Sequence, residues 1–304
     1  GGKTCWSEKR MRSISNSHSQ GRDTDRSQTV DQKRDGSHRT NQLFVIGIGP
    51  GSPEHLTKRA GQILASVEVV AGYHKYIELI HPLIDGKEII STGMTKEVAR
   101  VEAAIEQALA GKSCAIVSSG DPGIYAMAGL VFETCKIKGI VIVPPRSDPK
   151  GTDDSNVLRL EVVPGIPALC AGAALLGAPL THDFAAISLS DLLTPWERIE
   201  QRLEAAASSD FVIVLYNPKS TKRNSQFGKA RDIILRHRDN KTPVGIVSRA
   251  MREAQHIEIV TLDDMHTAEV DMQTTVFIGS STSSKYMDFM FTPRGYAKKY
   301  EINS

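Results

Sequence analysis

The sequence predicts an α/β protein of two α/β domains, with a parallel-rich sheet in the N-terminal half, a mixed sheet in the C-terminal half and a cleft between them. Three observations carry this. From Leu43 onward, short apolar runs alternate with amphipathic segments of helical period, which favours parallel strands covered on both faces. After about residue 240, three strand-like runs follow with little helix between them, which implies antiparallel pairs. Two early runs, LFVIGIGPGS from Leu43 and CAIVSSGDPG from Cys114, break abruptly into Gly, Pro, Ser and Asp before a helix-like segment. Turns of that kind at the carboxyl ends of parallel strands are the usual ligand site of an open α/β sheet.

Taken in order, residues 43–49 read as a buried strand and residues 56–66 as an amphipathic helix. VEVVAG (67–72) and EIIST (88–92) are strands, and EVARVEAAIEQALAG (97–111) is a helix of good propensity closed by Gly111. A strand over 114–120 and a helix over 123–135 follow. PPRSDPKGTDDSN (144–156) is a turn-rich surface loop, and LRLEVVPG (158–165) is the last strand of the first half. PALCAGAALLGAPL (167–180) is a helix of small residues, and AAISLSD (185–191) a strand. Thr194 as N-cap, Pro195 in the first turn and Glu197 three positions after the cap mark a helix start. FVIVLYNP (211–218) is a strand ending in a turn, residues 226–237 a helix, and VGIVSRA, HIEIVTLDD and TTVFIGSS the closing strands. The expected division is a polar tail (1–42), an N-terminal domain (43–165), a C-terminal domain (166–296) and a short tail (297–304), with a ligand cleft between the domains.

The bulk numbers are those of an ordinary soluble protein with room for a real core: 304 residues, 40% hydrophobic, 24% charged. No apolar run approaches a membrane span and no cleavable leader opens the sequence. Cys5, Cys114, Cys135 and Cys170 are scattered without Cys-x-x-Cys, so neither a disulfide framework nor a protein-bound metal is expected, and a cytoplasmic location fits. Residues 1–42 hold nine Lys/Arg against five acids and almost no apolar residues, while the body is close to neutral. Such a tail is expected to be disordered. Its basic excess admits one non-enzymatic reading, a nucleic-acid-binding module, which the interspersed acids weaken.

The turns narrow the chemistry. A dinucleotide fingerprint needs Gly-x-Gly-x-x-Gly; here Gly47 and Gly49 are followed by Pro50, Gly51 and Ser52, so the third glycine is missing and NAD is disfavoured. Pro50 has no N–H and suits a rigid wall better than a diphosphate cradle. At the second turn, Gly120 permits close backbone approach, and Asp121 either caps the next helix or faces a cationic ligand such as a sulfonium; the two roles are compatible. The small residues after Pro164 suit close helix–sheet packing. His182 and Asp183 offer acid–base chemistry or are surface residues. Lys219, Lys222 and Arg223 after LYNP, with Arg249 and Arg252 beside Glu253, form either a solvated face or a rim for a polycarboxylate. No Ser-His-Asp order, nucleophile elbow, Walker loop or metal-ligand spacing is present.

Together these segments resemble the tetrapyrrole (corrin/porphyrin) methyltransferases, on Gly47-x-Gly49-Pro50-Gly51 with Leu56-Thr57, Ser119-Gly120-Asp121-Pro122, Val163-Pro164-Gly165 and Leu215-Tyr216. The fuller wording, GPGSPEHLT, ISTGM, SSGDPGIYAMAG, THDFAAISLSDLLTPWE and VLYNPKS, is similar to the branch that methylates C(17) of the ring and contracts it in cobalamin synthesis. The resemblance runs in order over residues 43–290. It implies S-adenosylmethionine in the cleft of a homodimer, with contacts at Pro50, Ser119, Gly120, Asp121, Ile124, Pro167, Ala168, Asn217, Ala250 and Thr274. Relatives that methylate uroporphyrinogen have Thr where Pro167 stands and Met where Asn217 stands. A tetrapyrrole rimmed with carboxylates would meet Lys219, Arg249 and Arg252. The implied reaction is an SN2 methyl transfer needing no protein-bound metal, in which alignment of the reactants can contribute roughly 7–11 kcal/mol. Ring contraction adds a proton transfer, for which the candidates are His182, Asp183, Asp191 and Glu253. A sister enzyme acting on another ring position is the nearest alternative, and cobalt-containing and metal-free rings are both open.

Overall fold

A computed structural model describes residues 41–147, 154–220 and 223–300. The bulk of the polar tail, the centre of the 144–156 loop, Lys222 and the last four residues lie outside the described residues.

Six parallel strands form the first sheet: β1 (Gln42–Gly47), β2 (Val69–Tyr73), β3 (Glu88–Thr92), β4 (Cys114–Ser118), β5 (Val141–Val143) and β6 (Val157–Val163). Their order is β3-β2-β4-β1-β6-β5. The central strands β1, β2 and β4 are largely apolar, Gln42 and Ser118 at strand ends apart, because both faces are covered. Leu43, Val45, Val69, Ala71, Cys114 and Ile116 pack on one side in the core completed by α3 (Glu97–Leu109) and α4 (Met127–Lys138). Phe44, Ile46, Val70, Ala115 and Val117 point the other way, toward α1 (Lys58–Ser66) and α2 (His74–Ile80). This is the two-residue period of a strand, and each fully buried aliphatic side chain contributes about 1.5–3 kcal/mol. Thr57 caps α1, accepting from the Ala60 N–H at 3.2 Å.

The second half holds β7 (Gly177–Ala178), β8 (Phe184–Ser188), β9 (Val212–Tyr216), β10 (Pro243–Ser248), β11 (His256–Thr261), β12 (Thr274–Ile278), β13 (Ser284–Tyr286) and β14 (Phe289–Phe291). Five of these make a mixed sheet, β11-β10-β12-β9-β8, parallel only between β8 and β9. The antiparallel expectation for the three late strands is met. Ile213, Leu215, Val244, Ile246, Val276 and Ile278 pack beneath α6 (Trp196–Ser208) and α7 (Gln226–Ile234). On the opposite face α5 (Ala168–Leu176) meets Val214, Val247 and Phe277. A Cβ on Gly172 would lie 2.7 Å from the Phe277 ring, so the small residues of α5 serve close helix–sheet packing. β13, β14 and β7 form a small third sheet.

Several expectations shift. α4 starts four residues later than predicted, because residues 123–126 are spent on turns with Tyr125 at φ +52°. α6 is not capped by Thr194: the cap position is Pro195, in extended geometry without a side-chain cap bond. α2, β5 and the third sheet were not foreseen; they are short, and β5 is a partly exposed edge with no clear alternation. β1 already includes Gln42, and a last helix, α8, spans Tyr296–Tyr300. Among the described residues no helix is long and apolar enough to cross a membrane. The chain passes from the first sheet to α5 through residues 164–167, and the described residues belong to one compact unit.

Candidate active site

The neighbours β4, β1 and β6 end on the same side of the sheet, and their exit turns interlock. The Ile48 N–H donates to the Ser118 carbonyl at 2.9 Å, the Gly49 N–H to the Gly120 carbonyl at 3.0 Å and the Ile166 N–H to the Gly49 carbonyl at 3.4 Å. A Cβ at Gly47 would come within 2.6 Å of the Gly120 oxygen and the Gly165 nitrogen, and one at Gly49 or Gly165 would collide with backbone of the neighbouring turns. These glycines let three backbones touch one another. The Gly49–Pro50 peptide is cis. Asp121 completes the knot: Oδ1 accepts from the Gly123 N–H at 2.8 Å and Oδ2 from the Gly165 N–H at 3.2 Å. It therefore ties two turns together and does not cap α4, whose first residue is Met127. The chain leaves β1 toward β2 on one side and β4 toward β5 on the other, which makes this edge a topological switch point.

The second sheet brings its own edge of functional groups together because β12 runs against β9 and β10. The carboxyl ends of β8, β9 and β10 thus share an edge with the amino end of β12. Ser188 pairs with Tyr216, and Ser248 with Thr274. The Ser248 and Thr274 hydroxyls are 2.7 Å apart, and Thr274 also donates to Asp271 Oδ1 at 3.0 Å. The Asn217 side-chain amide donates to Ser188 Oγ at 2.9 Å. Asn217, Arg249, Met251 and Ala254, like Tyr125, have φ between +51° and +57°. Left-handed non-glycine residues cost of order 1–3 kcal/mol each and gather at functional sites.

Among the described residues, Arg252 and Tyr125 reach across the halves with side-chain hydrogen bonds. Arg252, from the β10–β11 connection, donates through Nε to the Pro50 carbonyl at 2.6 Å and through Nη2 to Ser119 Oγ at 3.2 Å. Burial pulls its pKa down. Tyr125 donates to the Ala186 carbonyl at 2.8 Å, its ring 5.1 Å from that of Tyr216. Tyr216 OH accepts from the Leu169 N–H at 2.9 Å, a donor in the first turn of α5 that has no intrahelical acceptor. Burial pushes the Tyr216 phenol up to about 12, so it stays neutral. Ile124, Tyr216 and Ala250 pack on the apolar cluster around Leu169.

Pro50, Ser119, Gly120, Asp121, Ile124, Pro167 and Ala168 thus meet around the knot; Asn217, Ala250 and Thr274 line the facing sheet edge, and Arg252 joins the two. The remaining candidates are placed differently. Arg249 pairs with Asp271 at 2.8 Å, Lys219 is exposed in the turn after β9, and Glu253 is exposed beside Arg252. Asp191 accepts from Gln226 Nε2 at 2.7 Å, with Arg223 3.9 Å away. His182 and Asp183 precede β8 and lie at the opposite end of that strand from Ser188, both exposed, the Asp183 N–H donating to His182 Nδ1 at 2.9 Å. Sequence reasoning missed Tyr76 on α2, whose phenol lies by Ser119 and Arg252 and is raised in pKa by burial. It also missed the buried Arg100, which donates to Thr92 Oγ1 at 2.7 Å and to the Gly93 carbonyl at 3.1 Å. The Tyr73-His74-Lys75-Tyr76 run was the available signal. Among the described residues no cluster of three His, Cys, Asp or Glu could hold a metal ion.

A switch-point knot facing a second, mixed sheet defines a class. The chain matches the Tetrapyrrole (Corrin/Porphyrin) Methylases over residues 42–147 and 152–266, and it belongs to that family. It is 43% identical over 254 residues to a probable cobalt-factor III C(17)-methyltransferase of Salmonella typhimurium, covering 84% of this chain and 99% of that relative. It is 48% identical over 262 residues, 86% of this chain, to a cobalt-factor III methyltransferase of Priestia megaterium, of whose length it spans 46%. The crystal structure of the methyltransferase CobJ superposes with a TM-score of 0.73 at 33% identity, covering 83% of this chain and 99% of that one.

Proposed function

We propose that the chain transfers a methyl group from S-adenosylmethionine to C(17) of cobalt-factor III or precorrin-3B, with ring contraction, in cobalamin biosynthesis, and that it works as a cytoplasmic homodimer. The observation that carries this reading is the knot of the β1, β4 and β6 turns joined through Arg252 to the Asn217–Thr274 edge, in a chain matching the Salmonella relative over nearly all of that protein's length. The relatives named above are methyltransferases, so the nucleic-acid module is not favoured.

The lining fits the donor. Ile124, Tyr216 and Ala250 supply apolar surface for an adenosyl group, and Ser119, Thr274 and the turn backbones supply polar partners. Asp121 adds negative charge where a sulfonium is to be held. The donor supplies an activated methyl group: the S–CH3 bond breaks, the ring C–CH3 bond forms, and sulfur keeps the electron pair. What the chain provides is alignment and exclusion of water. Lys219 and Arg249 serve the ring carboxylates, and Arg252 holds the donor side of the cleft together. For the proton leaving the ring oxygen during contraction, Asp191 and Glu253 are on the right edge of the second sheet; His182 and Asp183 are at the other end and drop out of the proposal.

The test is to offer purified protein both cobalt-factor III and precorrin-3B with methyl-labelled S-adenosylmethionine. Label in the ring and the spectrum of a contracted macrocycle from at least one of them is expected. No label in either product would refute the reading.

A further inference from the structure

We propose that Arg223 is a positioning residue for the methyl donor, holding the Asn217 turn from inside the fold; the inference rests on the reading of Asn217 as a donor contact. In sequence Arg223 belongs to a basic run after β9. In the structure it is only 8% exposed. Its Nη2 donates to the Asn217 carbonyl at 2.7 Å and lies 3.8 Å from Met272 Sδ. Its Nε is buried without a partner among the described residues, and its Nη1 is 3.9 Å from Asp191, a carboxylate already held by Gln226. The main polar task of this guanidinium is therefore the Asn217 carbonyl.

Asn217 needs holding for two reasons. Its φ of +52° is uncommon for a residue with a side chain, and it precedes Pro218, which biases the preceding residue toward extended backbone. Released, the 217–218 peptide would relax toward that geometry and swing the Asn217 amide away from Ser188 and the cleft. A second buried arginine provides the contrast. Arg238, also 8% exposed, binds the Ala207 carbonyl in the last turn of α6 and the Phe211 carbonyl just before β9, with Asp210 at 3.2 Å. The two arginines bracket one strand, but only Arg223 acts at the site end.

The test uses the full chain with Arg223→Gln, Arg223→Lys and Arg238→Gln, reading S-adenosylmethionine binding by calorimetry and thermal unfolding. Arg223→Gln is expected to weaken donor binding about tenfold or more, with partial recovery in Arg223→Lys. Arg238→Gln should lower the melting temperature and leave donor affinity at the parent value. Because glycine adopts positive φ freely, Arg223→Gln should cost less affinity in an Asn217→Gly background. Parent affinity in Arg223→Gln, or an equal cost in both backgrounds, overturns the inference; if Arg223→Gln does not fold, Arg223→Lys in the two backgrounds decides by the same comparison. A parent chain that binds no donor would overturn the donor reading, and this inference with it.

Discussion

Asp121 shows how much a single residue's role depends on what lies across from it. Its two carboxylate oxygens take N–H groups from its own turn and from the turn after β6. Asp121→Ala removes the acceptor that ties both donors together, which is expected to cost about 1–3 kcal/mol and to weaken donor binding by loosening the knot. Denaturant unfolding and calorimetry check this. Parent-like stability and affinity would mean the tie is dispensable. The sequence marked Asp121 as important, but its partner, Gly165, is 44 residues away and nothing local announces it. The same holds for Gly47 and Gly49. The sequence read them as part of a ligand turn, but what crowds them is other backbone.

At the scale of elements, α5 and α7 make opposite predictions for one kind of substitution. Gly172→Ala would press a methyl group onto Phe277 and is expected to destabilise by about 1–3 kcal/mol. Among the described residues nothing lies within 4 Å of a would-be Cβ on Gly228 of α7, so Gly228→Ala should stabilise by about 0.5–1 kcal/mol through helix propensity. Melting temperatures of the two variants should move in opposite directions; a stabilised Gly172→Ala would contradict the packing described. Both helices were legible from composition and period. The boundaries that failed, at α4 and α6, failed where residues 123–126 form irregular turns and where Pro195 itself takes the cap position.

For the whole molecule, Arg252 is the test of whether the two sheets act on the donor as a unit. It reaches 202 positions back along the chain to the Pro50 carbonyl. Arg252→Met keeps much of the apolar stem and removes both bridging hydrogen bonds. It should weaken S-adenosylmethionine binding as measured without any tetrapyrrole present. If donor affinity is unchanged and only the ring substrate binds less well, Arg252 is a substrate contact, as the sequence suggested, and not a tie between sheets.

The sequence by itself determined most of the strands and helices, the parallel-then-mixed character of the two sheets, and the turns from which the site is built. Those are written in local period and turn chemistry, which a few adjacent residues suffice to specify. Sheet order and the pairing of particular strands belong to the tertiary structure alone. They placed β1 between β4 and β6, turned the amino end of β12 toward the carboxyl ends of β9 and β10, and left His182 and Asp183 at the far end of β8. They also drew Arg223 out of a basic run into the interior. Each outcome depends on which segments pack together across long stretches of chain, and the free energy of that packing is shared among many contacts that no short motif records.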